Sequence, residues 1–144
     1  MFKNMPRHSF GRLQSKLFPK YFQFCTITIL SSLLLIHNEL MTTSMTQFKC
    51  LCSILILTLI NLCVVEPKTT SIMFKRHVIE RKLGTGHEVG QIKPSDPKIA
   101  NDPDLRAISK KFGMFHGISS TVNLISVCLG TWHLIFIGSK LEMD

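Results

Sequence analysis

His116-Gly117-Ile118-Ser119-Ser120-Thr121-Val122-Asn123 opens the stretch that decides the fold, and the run continues through Cys128, Trp132 and His133 to Ile137 without a single Asp, Glu, Lys or Arg. Twenty-two uncharged residues at the helical rise cover about 33 Å, enough to cross a ~30 Å hydrocarbon core. A span at about 117–138 is therefore predicted. On a helical wheel His116, Ser119, Ser120, Asn123 and Gly130 fall on one narrow face, with Leu129, Trp132 and Phe136 pointing largely away from it. Small and polar side chains on one face are what helices use to approach one another in lipid.

Working outward, two more apolar runs have the same character. Tyr21 to Ile36 and Cys50 to Val65 are each sixteen residues long, about 24 Å as helix, so flanking side chains must snorkel. They predict spans at about 21–37 and 50–66. In the first, Tyr21, Cys25, Thr28, Ser31, Ser32 and Leu35 share a face expected to pack on a neighbour. In the second, Asn61 shares a face with Cys50, Ile54, Leu57, Thr58 and Val65, and that face is expected to point into a bundle because a side-chain amide in hydrocarbon needs a partner.

The charges agree with a bilayer. The net charge is +8, but the first twenty residues carry Lys3, Arg7, Arg12, Lys16 and Lys20 with no acid, and residues 66–116 hold ten of the seventeen Lys and Arg. Basic blocks alternating with apolar blocks favour a membrane over nucleic acid. The positive-inside rule places residues 1–20 and the 67–116 loop together in the cytoplasm, and the 38–49 linker and C-terminus opposite. Endomembrane or plasma membrane is favoured over the mitochondrion, because Pro6 and Pro19 interrupt the amphipathic pattern of a transit peptide. Cys25, Cys50, Cys52, Cys63 and Cys128 are odd in number and sit in or beside apolar runs, which argues against a disulfide framework. The fold class is an all-α, multi-pass bundle of three spans with interfacial amphipathic helices. The first of those helices lies between Pro6 and Pro19, and the second runs from Thr69 or Thr70 to Leu83 after Glu66 and Pro67 close the second span. A flexible loop follows from Gly84 to Asp102. Asp102-Pro103-Asp104 then reads as a helix start, with Asp102 as the cap.

Candidate chemistry is sparse. Gly84-Thr85-Gly86-His87-Glu88-Val89-Gly90 lacks the third glycine, the preceding strand and the βαβ setting of a nucleotide fingerprint. His77 and Glu80 share a helix face and could be joined by His87, Glu88 and His116, but bundle metal sites need several inward carboxylates and Glu80 is the single good candidate. Arg76, His77, Glu80 and Arg81 read better as interfacial charges, some paired within the helix. His116 with Ser119 or Ser120 could imitate a base and nucleophile, although hydroxyls at the start of a span more often bond to helix neighbours. No catalytic residue, cofactor or metal is expected. Asn61 and Asn123 are expected to bond to one another or to backbone and lock two spans, or else to line a polar path.

Three clusters resemble the transmembrane protein 205-like family. Gln14-Ser15-Lys16-Leu17-Phe18-Pro19-Lys20-Tyr21-Phe22 is similar to the segment before that family's second span. Asn61-Leu62 with Pro67, Thr69, Met73, Arg76, His77 and Glu80 resembles its central block. Phe112, His116-Gly117, Ser119-Ser120 and Asn123-Leu124 resemble its last block, with Lys110-Lys111-Phe112-Gly113-Met114 nearest to the plant members. The resemblance implies four spans, the first ending ahead of the residues that match Phe2 to Phe10, so this chain reads as a member without that span. It implies no known enzymatic activity. The bilayer, a second copy or another membrane protein are the partners it suggests, with the family connected to drug resistance and vesicle traffic.

Overall fold

The computed structural model describes residues 2–38, 45–91 and 94–141. After a 3-10 turn at Phe2–Asn4, helix α1 runs Arg7–Asn38, α2 Met45–Ile60, α3 Glu66–Lys82, α4 Pro97–Ala100 and α5 Pro103–Leu141. A π-helical turn at Asn61–Val65 joins α2 to α3 without a break. Three stretches, Arg7–Leu35, Met45–Lys82 and Pro103–Lys140, are long and apolar enough to cross a membrane. No strand occurs among the described residues.

The continuity of these helices differs from the segmentation expected of the sequence. Pro19 lies inside α1 and does not end a separate surface helix. The ring removes one backbone donor and crowds the preceding turn. Here the long helix on both sides carries that loss. Pro67 likewise falls within the first turn of α3. The wide π turn immediately before it relieves the clash between a proline ring and the carbonyl four residues back, which explains why the helix continues where a stop was expected. The joined α2–α3 rod of 38 residues is about 57 Å long, nearly twice a ~30 Å hydrocarbon core. All three long helices thus project beyond the apolar zone, and on the basic side they carry the polar network described below.

The α2–α3 rod is central and packs against both α1 and α5. Cys50, Leu51 and Ile54 form the core within the spans, with Ile29, Leu33 and Leu129 against them. Thr58, Asn61 and Val65 continue the buried stripe of the rod. The face of α1 that packs is not the hydroxyl-rich one. Phe22 is buried, whereas Tyr21, Thr28, Ser31 and Leu35 are exposed. Thr28, Ser31 and Ser32 donate to the carbonyls four residues back, at Phe24, Ile27 and Thr28. A hydroxyl satisfied by its own helix can face lipid at little cost, so a small-polar face need not be an interface. Asp102 caps α5 as the sequence indicates, its Oδ1 accepting from Leu105 N at 2.9 Å.

Candidate functional site: a buried charge network and the polar seam below it

Glu80 organises the basic end of the molecule. It ends the helical face of α3 and is fully buried, so its carboxylate must be answered within the protein. Oε2 accepts from His8 Nε2 at 2.8 Å. Oε1 accepts from Arg76 Nε at 3.0 Å and lies 3.2 Å from Arg7 Nε. The Arg7 contact is an ion pair by distance; the direction of its Nε–H does not make a hydrogen bond. Arg7 also reaches Glu88 Oε2 at 3.1 Å and Thr85 Oγ1 at 3.1 Å through Nη2. Arg7 and His8 come from the first turn of α1, and Thr85 and Glu88 from the segment after α3, so one buried carboxylate ties three parts of the chain together.

The local backbone explains how that segment gets there. Gly84, with φ +71, ends α3 in the left-handed conformation. Gly84 N bonds to Arg81 O and Thr85 N to Glu80 O, the paired bonds of a Schellman cap. The chain then turns back over α1, where Glu88 O and Gly86 O accept from Arg7 N and His8 N at 3.1 and 3.2 Å. Those are N–H groups that the first turn of a helix cannot satisfy itself. Residues 84–90, expected as a flexible loop, are instead a strap that caps α1. Gly86 is required twice over: its φ is +106, and a Cβ there would come within 2.1 Å of the His8 ring.

His77 lies beside His8, with ring centroids 4.3 Å apart. Its ring sits on Gly11, where a Cβ would approach His77 Cε1 to 2.7 Å. Burial, reinforced by the neighbouring His8 and by Arg76 and Arg81 against the opposing pull of Glu80, lowers its pKa from 6.5 to about 4. Glu88 is held below its ordinary value: burial would raise it, but the Thr85 hydroxyl, backbone N–H groups and Arg7 together outweigh that effect.

His8, His77 and Glu80 place three ligand atoms within 4.8 Å of one another, the geometry of a candidate metal site. The charge balance argues against that use. Arg7 and Arg76 already neutralise Glu80 and Glu88, so a dication would add two uncompensated charges away from water. A carboxylate holding two guanidiniums is also a poor ligand. The chemistry that this arrangement supports is tethering.

The residues singled out in the sequence divide between this network and a polar seam nearer the spans. Arg76 and Glu80 belong to the network, although Glu80 is a buried hub where an interfacial charge was expected. His87 is exposed, with its ring 6.0 Å from that of His8, and Glu88 joins the network through Arg7. His116 stands outside the Glu80 cluster; its ring stacks on Phe112 at 5.6 Å, and Arg76 lies 5.7 Å over that same Phe112 ring. Asn61 and Ser119 pair twice: Nδ2 donates to Ser119 O at 3.0 Å, and Ser119 Oγ donates to Oδ1 at 2.7 Å. Asn123 does not meet Asn61 and accepts from Tyr21 Oη at 3.1 Å. Ser120, His116, Ser119 and Asn123 line a crevice of about 90 Å³ together with Tyr21 and Glu66. That volume holds a few waters and is small for an organic ligand. Pro67 is exposed and acts on the backbone only.

Sequence reasoning missed Arg7, His8, Thr85 and the pair Gln47–His133, joined at 2.7 Å and both buried near the far end of the spans. Arg7 and His8 were hidden in a run of exposed cations. The available signal was Glu80, the lone carboxylate between Lys68 and Lys82, where five Lys and Arg stand.

Three membrane-crossing helices with buried polar seams define an all-α membrane protein. The chain belongs to the family described as a domain of unknown function, DUF4149, whose model matches residues 1–78. No solved structure matches the chain.

Proposed function

We propose that the chain is a non-catalytic structural or accessory membrane component, a transmembrane protein 205-like protein of plant type. Of the three blocks that carry this resemblance, Gln14–Phe22 falls within the family match and Asn61–Glu80 does so up to residue 78, with Glu80 outside it. One observation carries the functional reading: the polar groups of the spans are directed at one another. Asn61 is engaged with Ser119, Asn123 with Tyr21 and Gln47 with His133. Groups bonded in pairs hold helices in register and leave little capacity for a moving solute. The basic segments 1–20 and 67–116 lie on the cytoplasmic side of an endomembrane or the plasma membrane, with the bilayer and a second copy or another membrane protein as partners.

A small permeation element is the second reading. The crevice favours it, because Glu66, His116, Ser120 and Asn123 meet there at the edge of the apolar zone. Flux of protons and monovalent ions into dye-loaded vesicles holding the full chain separates the two. The structural reading expects wild type and Asn123→Leu to leak no faster than protein-free vesicles. Flux in wild type that disappears in a folded Asn123→Leu variant would establish permeation in its place.

A further inference from the structure

Among the described residues, every exposed charged side chain of α1 and α3 is basic. On α1, Arg12, Lys16 and Lys20 are exposed and follow one another at four-residue intervals along one side. On α3, Lys68, Lys75 and Lys82 are exposed at seven-residue intervals. Both carboxylates of α3, Glu66 and Glu80, are buried, and the described part of α1 has no carboxylate. Where α1 and α3 face each other, Arg12, Ser15 and Lys16 line a hollow of about 330 Å³ with Phe74 as its aromatic wall. Leu17 and Phe74 are exposed beside these cations, at 54% and 39%. Exposed apolar side chains interleaved with cations belong at a membrane interface.

Depth sharpens the assignment. Lys20 immediately precedes the apolar run that starts at Tyr21. At the helical rise Lys16 stands about 6 Å and Arg12 about 12 Å further out, while the headgroup layer on each side of a bilayer is roughly 5–7 Å thick. Lys20 and Lys16 thus lie in the layer, and the long Arg12 side chain reaches back to it. We propose that this hollow and the ladder of cations bordering it form a binding site for the phosphate-bearing headgroup of an anionic phospholipid. Lys16 and Lys20 contact the phosphodiester, Arg12 takes further headgroup oxygens while the Ser15 hydroxyl stays bonded to the Arg12 carbonyl at 2.9 Å, and Leu17 and Phe74 lie along the glycerol and upper acyl chain. Guanidinium and ammonium donors suit phosphate oxygens, and a cation near an anionic leaflet contributes about fivefold in affinity at ordinary ionic strength.

The test uses the full chain in neutral detergent micelles, titrated with short-chain phosphatidylinositol phosphate, phosphatidylserine and phosphatidylcholine and with soluble inositol phosphate, binding being read by native mass spectrometry. The anionic lipids are expected to bind at least tenfold tighter than phosphatidylcholine, and tighter than the soluble headgroup. R12Q/K16Q/K20Q is expected to lose on the order of 100-fold of that affinity. The charge-matched control K98Q/R106Q/K110Q, exposed cations of α4 and α5 that do not border the hollow, is expected to lose less than threefold. Equal losses in the two triple variants, or no preference over phosphatidylcholine, would overturn the site. Soluble inositol phosphate binding as tightly as the lipid would overturn its assignment to a lipid. If the triple variant melts early, Lys16→Gln alone is expected to cost about fivefold with unchanged melting, and no loss there counts against the site.

Discussion

Glu80 is paired with Arg7 and Arg76 and hydrogen-bonded to His8 while having no access to solvent. Removing one partner of a buried ion pair costs about 3–5 kcal/mol, because the other charges are left unanswered. Glu80→Gln should destabilise the folded chain by that amount in denaturant titration in micelles, whereas Lys75→Gln on the exposed face of α3 should change it by less than about 0.5 kcal/mol. Gly86→Ala should release the strap, since both its φ of +106 and the 2.1 Å approach to the His8 ring forbid a Cβ. Faster limited proteolysis within 84–102, with the spans still helical, is the expected signature. His77 titrates near 6.5 when unfolded and at about 4 when folded, so its neutral form is the one the fold accommodates. Stability should be unaffected by His77 above pH 6.5 and should fall as pH drops from 6.5 toward 4. His8, Arg76, Glu80 and Arg81 are the groups around it, and His77→Gln should flatten that part of the melting profile.

At the scale of elements, periodicity and charge made the three long helices legible, and the rod's inward stripe of Cys50, Ile54, Thr58, Asn61 and Val65 followed from a 3.6-residue period alone. Helix ends were harder. Pro19 and Pro67 are local stop signals, and tertiary packing and a π turn overrode both. The hydroxyl face of α1 misled because hydroxyls bonded to their own helix look the same in sequence as hydroxyls at an interface. The strap was invisible because its pairing joins Arg7 to Glu88 across some eighty residues, a contact no local pattern encodes. The seam between the rod and α5 gives a prediction at this scale. Asn61→Ala removes both bonds and should destabilise by about 1–2 kcal/mol, Ser119→Ala removes only the Oγ–Oδ1 bond and should cost less, and the combination should cost less than the sum because that bond is lost in both; thermal melts of the four proteins close the cycle.

For the whole molecule, the network requires the first turn of α1 and the strap after α3 to meet on one side of the membrane, with Met45 at the other end of the rod. The same arrangement puts the exposed cations beside a single leaflet and leaves the paired polar groups of the spans to hold the rod against α1 and α5. Its most direct test is labelling of single cysteines by a membrane-impermeant maleimide in sealed vesicles, in a full chain whose own five cysteines are replaced by serine or alanine. Ser9→Cys and Ser95→Cys should react from the same side and Met45→Cys only from the other. Labelling of Ser9 and Ser95 from opposite sides, or of all three from one side, would contradict the three-span bundle closed by Glu80.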